Sequence, residues 1–418
     1  MSLCHFKAIR DRMKFLQWKH RFSLTSTTHV ALFLGFTLLL IFIRENNMHL
    51  ADYIRMYNIF SYPDATMTPC RPVSNVMFLK THKTGSSVIL NILFRFAENN
   101  NLTVALPAGK TFHLGHPGPF KAQQVEGFST MAHKYNIMCN HLRFNFSEVA
   151  KVMPNNTFYF SVLRNPTTLL ESSFAYHKGS IPAFQKLTDL NEFLASPWTY
   201  YNLSVPIKNI HARNTMWYDF GYDNNAEEGE NYVHSVLMDI EEKFQLVLIT
   251  EYFDESMVLL KNILCWNLED VVYFKLNFRT QESIQNLTHE NKERVKEWCS
   301  LDWKLYKHFN RTFWKRIQET IGMEKMQKEV ELLRSRQKEL TEICVQNGKP
   351  MHKSQIKDKH LKPYQSGTAD IMGYGLKSGL ANETMRICHR LIVPETQHTA
   401  LLYAKQFPEK PRKLDLTM

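Results

Sequence analysis

The stretch that most limits how this chain can fold runs from Val76 to Phe96. A short apolar segment, residues 76–79, leads into a turn with two lysines, a glycine and two serines, and then into the apolar spacing of a helix. This order predicts a buried strand, a turn and a helix N-terminus, where free amides and the helix dipole bind anions. Lys83 lies in the turn, within reach of a phosphate or sulfate. The turn lacks the Gly-x-x-x-x-Gly-Lys-Ser/Thr pattern, so it is not a nucleoside triphosphatase loop.

The surrounding sequence alternates strand-like and helix-like segments from about residue 72 to about residue 315. This alternation predicts one α/β domain with a central parallel sheet flanked by helices. The predicted strands are residues 76–79, 157–163 and 244–250, each followed by a predicted helix, at residues 86–98, 166–177 and 254–266. Farther along the chain we expect a strand at residues 273–277, an amphipathic helix at residues 323–344 and a long loop at residues 347–379.

The N-terminal region predicts a membrane anchor. Residues 1–21 contain six basic residues against Asp11 alone, and residues 22–43 contain no Lys, Arg, Asp or Glu. A segment of this length spans a bilayer, and basic flanks stay in the cytosol. The expected boundaries are a cytosolic tail at residues 1–22, an anchor at 23–43, a stem at 44–71, a lumenal domain at 72–345 and a C-terminal extension packed on it at 346–418. A cleaved signal peptide is the alternative, although no small-residue cleavage site follows the apolar run.

Glycosylation sequons and cysteines also favour a lumenal body. Six cysteines follow the predicted anchor, an even number that suits disulfides in an oxidising compartment, and none of them has the Cys-x-x-Cys spacing of a zinc site. Their pairing stays open. All Asn-x-Ser/Thr sequons lie after the anchor, at Asn101, Asn145, Asn155, Asn202, Asn286, Asn310 and Asn382.

The net charge of the chain is a weak guide to its ligand. Of the formal charge of +11, about +5 comes from the predicted cytosolic tail, so the rest of the chain is only mildly basic. No long basic run or RNA-reading motif is present, so nucleic acid is not an expected partner.

A second motif follows the predicted strand at residues 157–163. That strand ends at Arg164, and the next two residues, Asn165 and Pro166, have the N-cap and first-turn preferences of a helix that contains Ser172. An arginine at the carboxyl end of a parallel strand lies where α/β sheets bind ligands, and its fork suits a phosphate. The alternative is that Arg164 pairs with an acidic neighbour and Ser172 is an ordinary helix residue.

Together, the two motifs resemble the paired phosphate motifs of sulfotransferases. Four phrases, at residues 78–84, 139–144, 251–256 and 273–277, are similar to the Golgi galactose 3-O-sulfotransferases, and the similarity extends from about residue 72 to the C-terminus. The family resemblance implies a P-loop-like sulfotransferase fold and a sulfate donor, 3′-phosphoadenosine 5′-phosphosulfate, with no metal required. It further implies that residues 83–87 hold the 5′-phosphosulfate and the Arg164 motif the 3′-phosphate. The donor-binding residues implied are Lys83, Thr84, Gly85, Ser86, Ser87, Arg164 and Ser172.

The resemblance also suggests roles in the reaction. Lys83 would donate to the bridging oxygen of the leaving group, and a histidine would take the proton of a galactose hydroxyl. His141 is the first choice as this base, because related carbohydrate sulfotransferases carry a histidine at a similar place. His82, beside Lys83, is the second choice. Either histidine could instead be structural.

The acceptor side is less defined by sequence. The expected acceptor is a terminal β-galactose of a glycoprotein or glycolipid glycan, sulfated at its 3-hydroxyl in the Golgi lumen. His82, His113, Asn214 and Trp217 are the candidate acceptor-binding residues, with His116 near them, although Trp217 could equally be a core aromatic. Arg279 is a weaker candidate for donor contact. The sequence leaves a homodimer open.

Two other classes of protein share parts of this pattern. A Golgi glycosyltransferase would have a similar anchor, stem and sequons. Many such enzymes hold a metal with Asp-x-Asp, which this chain lacks. A non-catalytic glycan-binding relative would keep the fold, but the intact set of lysine, serines and arginine argues against that alternative.

Overall fold

The computed structural model describes residues 70–109, 111–130 and 133–410. The predicted cytosolic tail, the anchor and nearly all of the stem lie outside the described residues. Within them, none of the helices combines the length and the apolar character that crossing a bilayer demands.

A parallel four-stranded sheet forms the centre of the described chain. Its strands are β1 (Val76–Leu79), β2 (Ile137–Met138), β3 (Phe158–Leu163) and β4 (Leu246–Ile249), arranged in the order β2-β1-β3-β4. The three strands predicted from apolar runs are confirmed, each within two residues at either end. β2 escaped prediction because two residues are too short for a periodic pattern. The predicted α/β architecture with a central parallel sheet is therefore confirmed.

Helices flank the sheet. The three helices expected after the predicted strands are present at Ser86–Asn99, Pro166–His177 and Phe253–Leu264, and the amphipathic helix is present at Met323–Cys344. In chain order the helices are α1 (Ser86–Asn99), α2 (Phe146–Val152), α3 (Pro166–His177), α4 (Leu190–Ala195), α5 (Pro197–Tyr200), α6 (Thr215–Asp219), α7 (Glu230–Lys243), α8 (Phe253–Leu264), α9 (Leu268–Val271), α10 (His289–Trp298), α11 (Ser300–Thr320), α12 (Met323–Cys344), α13 (Asn382–Ile392) and α14 (Glu395–Gln406).

Two local predictions differ from the structure. The segment 273–277 is not a strand; instead Tyr273 packs its ring against Phe253 and donates its hydroxyl to Asp254. The segment 347–379 is not a plain loop, because β5 (Met351–His352) and β6 (Met372–Gly373) pair antiparallel within it. Side-chain packing and a short non-local pairing decided these segments, and neither leaves a periodic pattern.

The C-terminal helices pack on the helix that follows the predicted anion turn. Both α13 and α14 contact α1, and α13 also contacts α12. A disulfide joins Cys344 at the end of α12 to Cys388 in α13. Cys70 and Cys265 are disulfide-bonded as well, whereas Cys139 and Cys299 are buried thiols. The N-terminus of α14 is thereby held close to the start of α1.

Five of the predicted sequons have exposed asparagines, which suits glycosylation. These are Asn101, Asn155, Asn202, Asn286 and Asn382. Asn145 is half-buried at the N-cap of α2. Asn310 is half-buried inside α11, and its Oδ1 is buried without a hydrogen-bond partner among the described residues. These two asparagines are therefore poorly placed for a glycan.

Candidate active site

The turn between β1 and α1 is folded around its own hydroxyl groups. Lys83 and Gly85 have left-handed backbone angles, with φ of 59° and 72°. Thr81 donates its hydroxyl to Val162 O on β3, and Ser86 donates to Thr81 O at 2.7 Å. The hydroxyl of Thr84 also bonds within the turn, to Thr81 O. These side chains shape the turn, so an anion would meet mainly the outward amides of the first turn of α1 and the lysine.

An anion bound at the turn would stabilise the protonated form of Lys83. Its ammonium lies 3.6 Å from the centre of the Tyr176 ring, at the end of α3. Burial, followed by the nearby Arg164 guanidinium, lowers the pKa of Lys83 well below its usual value. Both effects penalise the protonated form, and a bound phosphate or sulfate would relieve them. The predicted role of Lys83 therefore fits its surroundings.

Arg164 braces the backbone of the same turn. Its Nη1 donates to Lys83 O at 2.9 Å, and its Nε donates to Thr168 at 3.0 Å. Among the described residues no carboxylate forms an ion pair with Arg164 at close range, although Glu251 and Glu171 lie near enough to favour its charge. Ser172 is buried farther along α3. The weaker candidate Arg279 binds Glu171 with two hydrogen bonds and is 6% exposed, so it holds α3 in place rather than facing a ligand.

A carboxylate from the C-terminal region reaches the predicted anion site. Glu395, the first residue of α14, accepts a hydrogen bond from the Ser87 hydroxyl at 2.8 Å. The same carboxylate lies 3.2 Å from the ammonium of Lys80, which is 2% exposed. Glu395 thus occupies the polar surface at which the sequence predicts a phosphate.

A histidine–carboxylate pair lies directly beside Lys83. Nδ1 of His82 is 2.9 Å from Asp219 Oδ1, and the backbone amide of His82 donates to Asp219 Oδ2 at 2.8 Å. Asp219 is completely buried at the end of α6. Its carboxylate fixes the ring so that Nδ1 carries the hydrogen and Nε2 keeps a lone pair, as in a base oriented by an acid.

His141 has different surroundings. Its Nδ1 donates to Lys80 O at 2.8 Å, and its Nε2 accepts from the Lys80 ammonium at 2.7 Å. Both ring nitrogens are therefore engaged by one residue. The hydrogen bonds favour His82 over His141 as the base, which reverses the order expected from the sequence.

Four further histidines lie around His82 and His141. His82 stacks on His141 with ring centroids 3.9 Å apart, and both His116 and His211 have ring centroids 4.5 Å from that of His82. His177 stacks on His211 at 4.2 Å, and His113 lies 5.6 Å from His141. Of these six histidines, the sequence assigned roles to His82, His113 and His141 and named His116 near them, whereas His177 and His211 were not singled out.

Burial keeps most of this cluster uncharged. It lowers the pKa of His113 to about 4 and that of His177 to about 3. It also lowers the pKa values of His82, His141 and His211 well below the usual range, with neighbouring histidines adding to the effect. The cluster is therefore a polar, largely neutral surface at neutral pH, which suits hydroxyl groups.

Two candidate acceptor residues are structural. Trp217 is completely buried, and its backbone amide donates to Asp302 Oδ1 at 2.8 Å. Asn214 is also completely buried, with its side-chain amide donating to Asn224 O and its Oδ1 accepting from the Asp302 amide. Neither side chain can reach a sugar, so both are removed from the acceptor site. The core alternative weighed for Trp217 is the correct one.

Five residues of the site were not singled out from the sequence. These are Lys80, His177, His211, Asp219 and Glu395. Lys80 lies close to Lys83 in the sequence, and this proximity is the only signal that could have identified it. The other four come from segments whose local pattern is that of an ordinary helix or turn.

All these groups converge where the strands of the sheet end. The turn after β1, His141 after β2 and Arg164 after β3 lie at the carboxyl edge of a parallel sheet, and β1 has neighbours on both sides. This is the position at which open α/β sheets bind ligands. An anion-binding turn with a lysine, next to a histidine oriented by a carboxylate, defines the class: a transferase that moves a group from an anionic donor to a hydroxyl.

Comparison with known proteins identifies the family. The family model described as galactose-3-O-sulfotransferase matches residues 12–406. Galactose-3-O-sulfotransferase 2 of Sus scrofa is 58% identical over 344 residues, covering 82% of this chain and 86% of that protein. The Homo sapiens protein of the same name is 54% identical with 82% and 86% covered, and human galactosylceramide sulfotransferase is 41% identical with 79% and 78% covered. The chain belongs to the galactose-3-O-sulfotransferase family and is a carbohydrate sulfotransferase, as the sequence motifs predicted.

Proposed function

We propose that this protein transfers a sulfuryl group from 3′-phosphoadenosine 5′-phosphosulfate to the 3-hydroxyl of a terminal β-galactose on glycoprotein glycans. The observation that carries the proposal is that Lys83 directly follows His82 in one turn and that Asp219 of α6 binds the His82 ring. A cation for the leaving group and a base for the hydroxyl are thereby supplied from neighbouring positions. The names of the similar proteins support galactose and its 3-position as the target.

The donor side of the reaction rests on positive charge. Transfer breaks the bond between sulfur and the bridging oxygen of the donor and leaves negative charge on the 5′-phosphate. Lys83 would neutralise that charge, while the outward amides of α1 hold the phosphate. Arg164, whose Nη1 keeps the Lys83 backbone in place, would present the rest of its guanidinium to the 3′-phosphate. Ser172 and Ser87 complete the predicted donor contacts.

The acceptor side rests on proton transfer. As the galactose oxygen bonds to sulfur, its proton would pass to Nε2 of His82, and Asp219 would stabilise the imidazolium that forms. His141 would instead hold Lys80 in position. The rings of His113 and His116 suit the hydroxyls of a galactose ring, and no metal is needed for these steps.

The cellular setting follows from the N-terminal sequence. We propose a single-pass Golgi membrane protein with its tail at residues 1–22, its anchor at 23–43, its stem at 44–71 and the sulfotransferase domain and C-terminal extension in the lumen. The exposed sequons and the disulfide-bonded cysteines support a lumenal location. A protease-protection assay on sealed microsomes should leave residues after the stem undigested, and digestion of the domain would contradict the orientation.

The activity can be tested directly. The full-length chain would be incubated with donor labelled in its sulfur and with a panel of galactosides, including a desialylated glycoprotein, galactosylceramide and 3-O-methyl galactosides. We expect labelling of terminal galactose on the glycoprotein and none when the 3-position is blocked. Label in the 3-O-methyl compounds would overturn the regiochemistry, and preference for galactosylceramide would move the acceptor class to glycolipid. Lack of transfer to any galactoside would refute the proposal.

A further inference from the structure

We propose that an N-linked glycan on Asn202 covers an apolar surface patch formed by Trp198, Leu203 and Ile207, and that the folded chain needs this cover to resist aggregation. We call these three residues the 198–207 patch. The proposal rests on the proposed lumenal location, because only a lumenal chain meets the enzymes that attach N-linked glycans.

The 198–207 patch is strongly apolar for a surface that faces water. Trp198 is 56% exposed, Leu203 is 55% exposed and Ile207 is 50% exposed. Five large apolar residues in the described part of the chain are exposed by half or more, and three of them form this patch. A soluble protein rarely leaves contiguous apolar surface uncovered, because such a surface binds a partner or aggregates. The patch therefore calls for an occupant.

The local fold places Asn202 between the members of the patch. The Trp198 ring, on α5, meets the ring of Tyr201 edge-on, with centroids 6.1 Å apart. Directly after Tyr201 the chain turns back on itself, and the side-chain amide of Asn209 donates to Asn202 O at 3.5 Å. The other two members of the patch lie in the loop that this bond closes. A group attached to Asn202 therefore starts within the patch.

The side chain of Asn202 is available for a glycan. The residue is exposed, and its Oδ1 accepts from the backbone amide of Ser204 at 2.8 Å. This Asx-turn spans the sequon Asn202-Leu203-Ser204. It engages Oδ1 and leaves Nδ2, the atom that carries the sugar, without a hydrogen bond to another described residue. The acceptor atom and the patch thus share one loop.

Attachment requires an oligosaccharide linked to a lipid diphosphate as the donor. The bond between the anomeric carbon of its first sugar and the diphosphate oxygen breaks, and a bond from that carbon to Nδ2 of Asn202 forms. The lipid diphosphate leaves with the electron pair of the broken bond, and one Nδ2 proton passes to solvent. The product is a bulky, solubilising group fixed at Asn202.

The first sugars of the glycan fit an aromatic platform. One face of a pyranose ring consists of C–H groups and packs on aromatic rings, while the hydroxyls stay in water. Trp198 and Tyr200 precede Asn202 by four and two positions, so two aromatic rings lie near the attachment point. The guanidinium of Arg213 lies 4.8 Å from the centre of the Trp198 ring and covers one face of it, which leaves the other face for a sugar. A glycan here would therefore bury apolar surface instead of standing free in solvent.

Mass spectrometry of the full-length chain from glycosylating cells tests the occupancy. Peptide N-glycosidase in heavy-oxygen water converts each glycosylated asparagine to a labelled aspartate. We expect label at Asn202 in the unsubstituted chain and in Ser204→Thr, which keeps the sequon, but not in Ser204→Ala, which removes the sequon while keeping the asparagine. Label at other sequons without label at Asn202 would overturn the proposal alone. No label at any sequon would refute the lumenal location together with it.

Light scattering in a mild detergent tests the cover. Ser204→Ala should increase the aggregated fraction at least about threefold, whereas Ser204→Thr and Asn286→Gln should not. Asn286 is the control because it is an exposed sequon with no half-exposed large apolar residue near it in sequence. Adding Leu203→Ser and Ile207→Ser to Ser204→Ala should return the aggregated fraction to its original level, since the patch is then polar. Equal aggregation in Ser204→Ala and Ser204→Thr, or no such rescue, would overturn the proposal.

A second measurement separates the cover from an effect on folding. Enzymatic removal of the glycans from the folded, unsubstituted chain should increase aggregation, and the same treatment of the folded Ser204→Ala chain should change it little. An equal increase in both chains would assign the effect to other glycans and refute the role of Asn202. Loss of galactoside binding in Trp198→Ser would assign the patch to the acceptor and overturn the proposal. A chain glycosylated at Asn202 that transfers no sulfate would refute only the proposed activity.

Discussion

The carboxylate of Asp219 holds His82 at two points, accepting from the ring at Nδ1 and from the backbone amide 2.8 Å away. The two residues are separated by 137 positions in the chain. Burial raises the pKa of Asp219, whereas the nearby His116 and the backbone amide of His82 favour its ionised form. In the proposed reaction, this pair and Lys83 would bring the acceptor hydroxyl next to the donor sulfur.

The first prediction concerns the base. His82→Gln should lower kcat by about 10²–10⁴-fold, the range for loss of a general base, with donor affinity nearly unchanged. Asp219→Asn should lower kcat by about 10²-fold or more, because the ring loses its orienting partner. Steady-state kinetics and titration with the product nucleotide would measure both quantities.

His141→Gln serves as the comparison for that experiment. Because both nitrogens of His141 bind Lys80, its loss should reduce kcat less than the loss of His82 and should weaken donor binding. A larger loss of kcat in His141→Gln, with donor affinity intact, would return the role of base to His141.

The second prediction concerns the lysine of the turn. Lys83→Met should lower kcat by about 10²–10³-fold, the scale for loss of one group that stabilises transition-state charge. Lys83 has a φ of 59°, and methionine is unbranched at Cβ like lysine, so the backbone strain should be similar and the fold should persist. Circular dichroism melts would check the fold, and a variant with normal kcat would show that the leaving group is neutralised elsewhere.

The third prediction concerns the 3′-phosphate. Arg164→Lys should raise the KM for the donor by about 10–100-fold, since a charged hydrogen bond contributes about 1.5–3 kcal/mol. Ser172→Ala should raise it by about fivefold, corresponding to the loss of a neutral hydrogen bond of about 1 kcal/mol. Donor KM should be compared with that for an analogue lacking the 3′-phosphate. If Arg164→Lys weakens the binding of the donor and of the analogue equally, Arg164 acts only by holding the backbone of the turn.

The fourth prediction concerns the carboxylate that lies on the anion site. Glu395→Gln should strengthen binding of the product nucleotide by about fivefold, because removing a partly exposed charge is worth up to about 1 kcal/mol. Its contacts with Ser87 and Lys80 place this charge where a phosphate is expected. Glu383→Gln, at the exposed start of α13, is the matched control. Weaker binding in Glu395→Gln would mean that Glu395 orders the site instead of opposing the donor.

The fifth prediction concerns pH. Burial lowers the pKa of His113 to about 4 and that of His177 to about 3. In the unfolded chain, histidines have pKa values of about 6.5. Between these values the unfolded state binds more protons than the folded state, so the free energy of unfolding falls as pH decreases below about 6.5. The slope is up to about 1.4 kcal/mol per pH unit for each such histidine.

Thermal melts from neutral to mildly acidic pH would measure this slope. The melting temperature should fall with acid, and His177→Gln should flatten the dependence because one buried neutral histidine is gone. A melting temperature independent of pH over this range would contradict the burial of the cluster as uncharged rings.

The sequence alone determined the strand, turn and helix around Lys83, the helix that begins at Asn165 and Pro166, and the parallel α/β architecture. Each of these follows from apolar periodicity, helix start signals and the chemistry of a turn, which act between residues close together in the chain. The similarity of four short segments to the galactose 3-O-sulfotransferases pointed to the family. The weak guesses for the acceptor, Asn214 and Trp217, failed because polarity and aromaticity do not reveal burial.

Only the tertiary structure decided how the histidines and carboxylates meet. His82, His141 and His211 belong to three separate segments of the chain, and Asp219 ends a short helix 137 positions from His82. Their distances depend on how the carboxyl ends of neighbouring strands are aligned and on which loops pack over them. Such long-range contacts carry no local pattern, so the proposal of His82 in place of His141 as the base rests on the folded geometry.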